Sequence, residues 1–525
     1  MSEHDHGCQH DQVPGLKTQP HCCPCSRDIE PDEVSRRGFL GGMGAAAALG
    51  SMALGGLSWG ALAADQPELP EAPKRRPLVV KPVFLYSTYQ KAPQTSWRAW
   101  GGIQTQQDVE KEIASIKAEL EAIPKAADFP IRFLPLAAVR SASQLKESQD
   151  LASADAILAY AANGGLDGIT SFGKPVVFFI RHKSGPLYLW YEIISPIYLR
   201  QHTDNLLVKG ITDQDVVVDS QQEVLWRLRS LCGLVNTVGS KILAVGGPSG
   251  WANAQAPDLA RAKWKLDIQT VDYKDLAKLI QAARQDQAAV ALAKKRAGDY
   301  LKLPETELRT DRAFVENAFL LEQIFRKLMA KANCRAITVN SCMGTIMPMS
   351  ETSACLALST LNDDGWQAYC ESDFVVIPSG MLATAISDRP MFFNDPTYPH
   401  DGIITLAHCT GPRRNDGKNL DPAILLSHFE SDYGVSPKVN MKIGQKVTNI
   451  IPDFKSERWV GFLADIVAHP FLPICRCQID VKYTFPDILL AERMPGFHWM
   501  TIYGDYMREI GYALRRIPIK WEVLG

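Results

Sequence analysis

The run Pro175-Val176-Val177-Phe178-Phe179-Ile180 offers no polar residue to either face of a strand. Such a strand must be covered on both sides, as the parallel strands of α/β proteins are and half-solvated antiparallel strands are not. The preceding chain fits that reading. Val83-Phe84-Leu85-Tyr86, Ile131-Arg132-Phe133-Leu134 and Ala156-Ile157-Leu158-Ala159-Tyr160 are further strand segments. Between the first two lies a helical pattern, with Val109, Ile113, Ile116, Leu120 and Ile123 recurring at the three- and four-residue spacings of one helix face. Short β-rich runs alternating with amphipathic helices predict a first α/β domain over residues 81–240.

A second α/β domain is expected over residues 241–388. It opens with the strand Lys241-Ile242-Leu243-Ala244-Val245, which runs into Gly246-Gly247-Pro248-Ser249-Gly250-Trp251. Glycine-rich turns after a parallel strand often face a ligand, but this spacing is neither a P-loop nor a dinucleotide fingerprint and reads as ordinary turn chemistry. Helical patterns follow, including a face of Phe314, Ala318, Leu321, Phe325 and Leu328, and then the strand Ala336-Ile337-Thr338-Val339-Asn340. Beyond residue 389 the texture changes to runs such as Gly402-Ile403-Ile404-Thr405-Leu406 and Gln478-Ile479-Asp480-Val481-Lys482-Tyr483, separated by Gly, Pro and Asp. The expected fold is therefore α/β: two doubly wound Rossmann-like domains followed by a β-rich, barrel-like C-terminal domain over 389–525. The 525 residues suit several domains, and 56 Lys and Arg against 58 Asp and Glu leave no basic field. Nucleic acid is excluded as a partner on that ground.

The first residues read as a targeting segment. Ser35-Arg36-Arg37-Gly38-Phe39-Leu40 precedes a Gly/Ala-rich apolar stretch that ends in Ala61-Leu62-Ala63. Paired arginines, a weakly apolar run and a small-residue cleavage site resemble a twin-arginine export signal over residues 1–63, followed by a linker over 64–80. The expected location is the periplasm, with the twin-arginine translocase as a transient partner. That route carries folded proteins and hints at a cofactor loaded before export. Ahead of the arginines, His4, His6, Cys8, His10, His21, Cys22, Cys23 and Cys25 are metal-ligand types at spacings that match no closed zinc site. Cys232, Cys334, Cys342, Cys355, Cys370, Cys409, Cys475 and Cys477 are too sparse for a disulfide framework, and no pairing is assigned.

The chemistry concentrates between the second domain and the β-rich region. Glu371, in Cys370-Glu371-Ser372-Asp373, and Asp395, in Phe392-Phe393-Asn394-Asp395-Pro396, each end an apolar connection. They stand 24 positions apart, enough for one helix and a return strand, so both carboxylates can emerge at one edge of the fold. A close carboxylate pair suits a hard divalent cation or acid/base work on a substrate carbon.

This stretch resembles the catalytic region of the L-fucose isomerase and L-arabinose isomerase-like superfamily. The match lies in Glu371, in Phe393-Asn394-Asp395, in the pair His408-Cys409 and in Pro495-Gly496-Phe497-His498-Trp499. The resemblance implies a metal-dependent aldose–ketose isomerase that works through a cis-enediolate. Glu371, Asp395 and His498 would be ligands to Mn²⁺ or another divalent metal, with Glu371 and Asp395 as the catalytic pair. His408 is expected beside the metal or the substrate, and Asn394, Trp366, Arg389 and Trp499 as contacts to a sugar or sugar derivative. A homo-oligomer, trimeric or hexameric, is implied as well. Two other readings stay open: an exported carbohydrate-binding relative without turnover, and another sugar-modifying metal enzyme on the same fold.

Overall fold

The computed structural model describes residues 58–65, 69–189 and 211–525. The paired arginines and the His/Cys cluster lie outside these residues. The expected cleavage point after Ala63 falls within a described helix, Trp59–Asp65. Its Leu62 is fully buried, and its Trp59 Nε1 donates to Asp286 Oδ2 at 2.8 Å. Among the described residues no helix is long and apolar enough to cross a membrane.

The first sheet contains β1 (Leu78–Leu85), β2 (Ile131–Phe133), β3 (Ala137–Val139), β4 (Ala156–Ala161), β5 (Val176–Ile180) and β6 (Val216–Val218). All its pairings are parallel, in the order β2-β1-β4-β5-β6, with β3 continuing the β2 edge of β1. The apolar run that motivated a parallel sheet is β5, buried at every position. Val109, Ile116 and Ile123 of helix Gln106–Ala126 and Val224, Leu228 and Leu231 of helix Gln221–Val235 are buried. A Thr105–Asp108 capping box starts the first of these helices.

The second sheet is also wholly parallel: β7 (Lys241–Val245), β8 (Asp267–Val271), β10 (Ala336–Val339) and β11 (Gln367–Tyr369), in the order β11-β10-β7-β8. Alternation along the strands divides its side chains between two cores. Leu243, Val245, Ile337 and Val339 join Leu321, Phe325 and Leu328 of helix Arg312–Lys331. Ile242, Ala244 and Ala336 join Trp264 and, from helix Ile377–Ser387, Leu382 and Ile386. A small sheet that the sequence did not disclose ties this region to the C-terminal part: β9 (Thr306–Leu308) pairs with β14 (Ala423–Leu426), which pairs with β15 (Ser436–Val439).

The C-terminal region is a closed six-stranded antiparallel barrel of β12 (Phe392–Pro396), β13 (Ile403–His408), β16 (Lys446–Pro452), β17 (Arg458–Ala468), β18 (Cys477–Lys482) and β19 (Trp499–Tyr503). The order β16-β19-β12-β13-β18-β17 closes through β16–β17, and β20 (Lys520–Leu524) adds to β17. Closure removes the free edges that an open sheet would present. The fold as a whole is mixed α/β with parallel sheets and a terminal barrel.

The first helical layer meets the second through a glycine. A Cβ on Gly233 would lie 2.2 Å from Ile386 Cγ1 and 3.1 Å from Ile386 N and Cα, so the two helices touch at backbone distance. Gly233→Leu is expected to destabilise the protein by about 1–3 kcal/mol or more, the usual cost of overpacking, read as a lower midpoint in urea denaturation.

Candidate functional site

The site lies where the C-terminal ends of β7, β10 and β11 meet one rim of the barrel. In open parallel sheets this is the end that faces ligands, because the connecting loops diverge there. β11 ends at Tyr369, and the next turn carries Glu371 and Ser372 at φ of +63° and +49°. Two consecutive non-glycine residues in the left-handed region are strained, and persist only where their surroundings enforce them. The Ser372 N–H donates to Thr338 Oγ1 at 3.1 Å. The glycine-rich turn after β7 supplies the rest: the Ser249 N–H donates to the Ser372 carbonyl at 3.1 Å, and the Phe374 N–H donates to the Ser249 carbonyl at 3.0 Å.

Asp373 locks the assembly. Its Oδ1 accepts the N–H groups of Trp251 at 3.2 Å and Val375 at 3.0 Å, and its Oδ2 lies 2.6 Å from His498 Nδ1. With Nδ1 held by a carboxylate, His498 turns Nε2 toward the site, 3.3 Å from Glu371 Oε2 and 3.1 Å from Asp395 Oδ1. His408 Nε2 lies 3.7 Å from Glu371 Oε1 and is buried without a hydrogen bond. Phe393 sits between the two imidazoles, with ring centroids 4.6 Å from His408 and 4.7 Å from His498. Trp251 stacks on Phe497 at 4.1 Å and meets His498 edge-on at 6.0 Å.

The structure thus brings together Glu371, Asp395, His498 and His408. It places the other four named residues elsewhere, for reasons of strand periodicity and register. Side chains alternate across a strand, so Asn394 points away from the face that carries Asp395. It is fully buried and donates to the Phe392 carbonyl and Thr501 Oγ1. The same alternation sends Trp499, next to His498, into the barrel core against Phe462. Trp366 is buried in the α/β core before β11. Arg389 precedes β12, and the antiparallel register with β19 puts it at the strand end opposite Asp395, where it donates to the Tyr503 carbonyl at 2.9 Å. These four are corrected from substrate contacts to packing and scaffold residues. The sequence reading passed over Asp373 and Trp251. An acid two residues after Glu371 and ahead of a helix was the available signal for the first, and the glycine-rich turn for the second.

The electrostatics are those of a buried cluster in which carboxylates and imidazoles compensate one another. Burial opposes charge on both partners, yet the histidines hold the Glu371 carboxyl well below the ordinary range. The carboxylates of Asp373, Asp395 and Glu371 likewise push His498 well above its usual value despite its burial. Glu371, His408 and His498 offer one ligand atom each, all within 4.8 Å of one another. Carboxylates suit hard divalent ions and imidazoles suit borderline ones, so the donor chemistry fits a divalent cation without selecting one. A carboxylate behind the ligating histidine, as Asp373 stands behind His498, is the usual means of orienting a metal-bound imidazole.

No family model matches the chain, and no curated protein matches it. Among solved structures, a likeness is found to a probable maltose operon transcriptional repressor, malR, from Staphylococcus aureus, at 8% identity over 52% of this chain and 81% of that one, with a TM-score of 0.14. At that score the likeness bears on neither fold nor function.

Ser372 stores part of the strain in the turn, and its buried hydroxyl has no hydrogen-bond partner. Ser372→Gly is expected to stabilise the fold by about 1 kcal/mol, since glycine adopts the left-handed region at no steric cost. A rise in Tm in calorimetry would show it.

Proposed function

We propose that the protein is a metal-dependent aldose–ketose isomerase. The observation that carries this reading is the Asp373–His498 pair aiming one imidazole nitrogen at two carboxylates, Glu371 and Asp395, beside a second buried imidazole, His408. Such a set is suited to a Mn²⁺-like ion, held by Glu371, Asp395 and His498 with His408 alongside. When bound, the ion supplies Lewis acidity that polarises a substrate carbonyl and makes the adjacent C–H more acidic.

The chain's own groups supply the proton transfer. One carboxylate of the Glu371/Asp395 pair takes the proton from the carbon beside the carbonyl and returns it to the former carbonyl carbon, while the hydroxyl proton on the first carbon's oxygen passes to the former carbonyl oxygen, so atoms and charge balance across the reaction. Glu371 is the solvent-facing member, with about a third of its side chain exposed, whereas Asp395 is more enclosed. With a cation in place, Asp373 would keep the His498 proton on Nδ1 and leave the Nε2 lone pair toward the ion. Trp251 and Phe497, half-buried and stacked, form an aromatic shelf next to His498 of the kind on which sugar rings and chains lie.

In the same reading the two parallel sheets are doubly wound, Rossmann-like domains and the barrel completes the cleft. The protein is exported to the periplasm by the twin-arginine pathway, acts on a sugar or sugar derivative and assembles into a homo-oligomer.

The metal content of the mature protein tests the site. Near-stoichiometric Mn in the wild type, lost in Glu371→Gln/Asp395→Asn, is the expected outcome, followed by interconversion of an aldose and a ketose in a product screen. No tight divalent ion after Mn²⁺ is supplied would overturn the reading. Asp373→Asn is expected to weaken Mn²⁺ binding by roughly 10–100-fold in a chelator competition while the far-ultraviolet circular dichroism is retained.

A further inference from the structure

Behind His408 lies a second cluster of donors that the isomerase reading does not use. Cys355 opens helix Cys355–Asp363, Cys409 follows β13, and His428 lies just beyond β14. All three are buried, with relative exposures of 1%, 5% and 5%. Their ligand atoms lie within 4.8 Å of one another. Three segments remote in sequence therefore deliver two thiols and an imidazole to one point. Buried thiols alone can be small apolar filler, but packing gives no reason to bring a buried imidazole to the same place. The His428 Nδ1 is 3.3 Å from Ser431 Oγ, so one ring nitrogen already has a hydrogen-bonding group. Ser436 Oγ donates to the Cys409 carbonyl at 3.0 Å and fixes the backbone there.

We propose that Cys355, Cys409 and His428 form a second metal site, selective for a thiophilic cation, Zn²⁺ or Cu⁺. Two thiolates and one imidazole are soft and borderline donors that prefer these ions to Mn²⁺ or Mg²⁺. Binding releases the two thiol protons and involves no change of oxidation state in the protein. The site adjoins the carboxylate site through the dipeptide His408-Cys409. Cys409 Sγ is 3.6 Å from His408 Nδ1, while His408 Nε2 faces Glu371. Hard and soft donors are thus segregated on the two sides of one imidazole.

The test uses the full exported protein, stripped of metal and reduced. Titration with Co²⁺ is expected to raise a thiolate-to-cobalt charge-transfer band in the near ultraviolet, abolished by one equivalent of Zn²⁺ or Cu⁺; separate Zn²⁺ and Cu⁺ competitions identify the preferred ion. Cys355→Ser/His428→Gln is expected to lose more than the roughly 10–100-fold in affinity that removal of an outer hydrogen-bond partner costs. Cys334→Ser, which alters a buried thiol outside the cluster, is expected to bind as the wild type does. If the double variant does not fold, the wild-type cobalt spectrum decides alone. A folded wild type with no thiolate band and no tight Zn²⁺ or Cu⁺ would overturn the proposal, as would a Cys355–Cys409 disulfide mapped in protein isolated without reductant. Retention of the thiophilic ion by Glu371→Gln/Asp395→Asn separates this site from the isomerase reading, and its loss there would overturn the independence of the two sites.

Discussion

The carboxylate of Asp373 is the contact on which the site depends. It is almost completely buried, and all three of its partners come from different parts of the fold: the turn after β7 through Trp251, its own following turn through Val375, and the barrel through His498. A buried carboxylate pays heavily for lost hydration, and this one recovers the cost only because two backbone N–H groups and an imidazole saturate it. Its geometry is consequently over-determined. That is what permits the neighbouring Glu371 and Ser372 to stay in the left-handed region, a conformation that would relax if the turn were held by fewer bonds. Strain at Glu371 and satisfaction at Asp373 are two sides of one arrangement, and the position of the Glu371 carboxylate follows from both.

The rest of the scaffold explains why such an arrangement can be rigid. The parallel sheet is covered on both faces, so β7, β10 and β11 cannot shift without disturbing two cores. The barrel has no free edge among its six strands, and three of the site residues sit at or next to its strand ends: Asp395 on β12, His408 on β13 and His498 before β19. Groups mounted on strands hold position more tightly than groups mounted on loops. The one donor carried by a turn, Glu371, is also the one whose backbone is pinned by three separate hydrogen bonds nearby.

Much of the secondary structure was legible because its cause is local. The apolar run of β5, the helix face from Val109 to Ile123 and the strand before the glycine-rich turn all express their burial in their own periodicity. A barrel-like C-terminal region was legible in its short, turn-separated β runs, but the strand order and the β16–β17 pairing that closes it were not, since register between strands is not a property of any one strand's composition. The pairing of β9 with β14 joins residues more than a hundred positions apart and leaves no local mark. The site followed the same division. Glu371 and Asp395 could be named from residue type and spacing and His408 and His498 only through the family resemblance, but neighbours in sequence were mistaken for neighbours in space. Asn394 and Trp499 are one residue from Asp395 and His498, and a pleated strand turns them to the opposite face.

That alternation also explains why two kinds of donor can lie so close without mixing. His408 ends β13 with its ring between the carboxylate cluster and the thiols, while Cys409 takes the chain beyond the strand and toward helix Cys355–Asp363. An imidazole has two nitrogens about 2 Å apart on opposite edges, and whichever carries the proton fixes the role of the other. On the Nε2 side lies the Glu371 carboxylate and on the Nδ1 side the Cys409 sulfur, so two chemically different environments meet at one ring. The seam between the parallel sheet and the barrel is therefore polar by construction: its hydrophobic cover is interrupted by carboxylates and imidazoles that are held against one another.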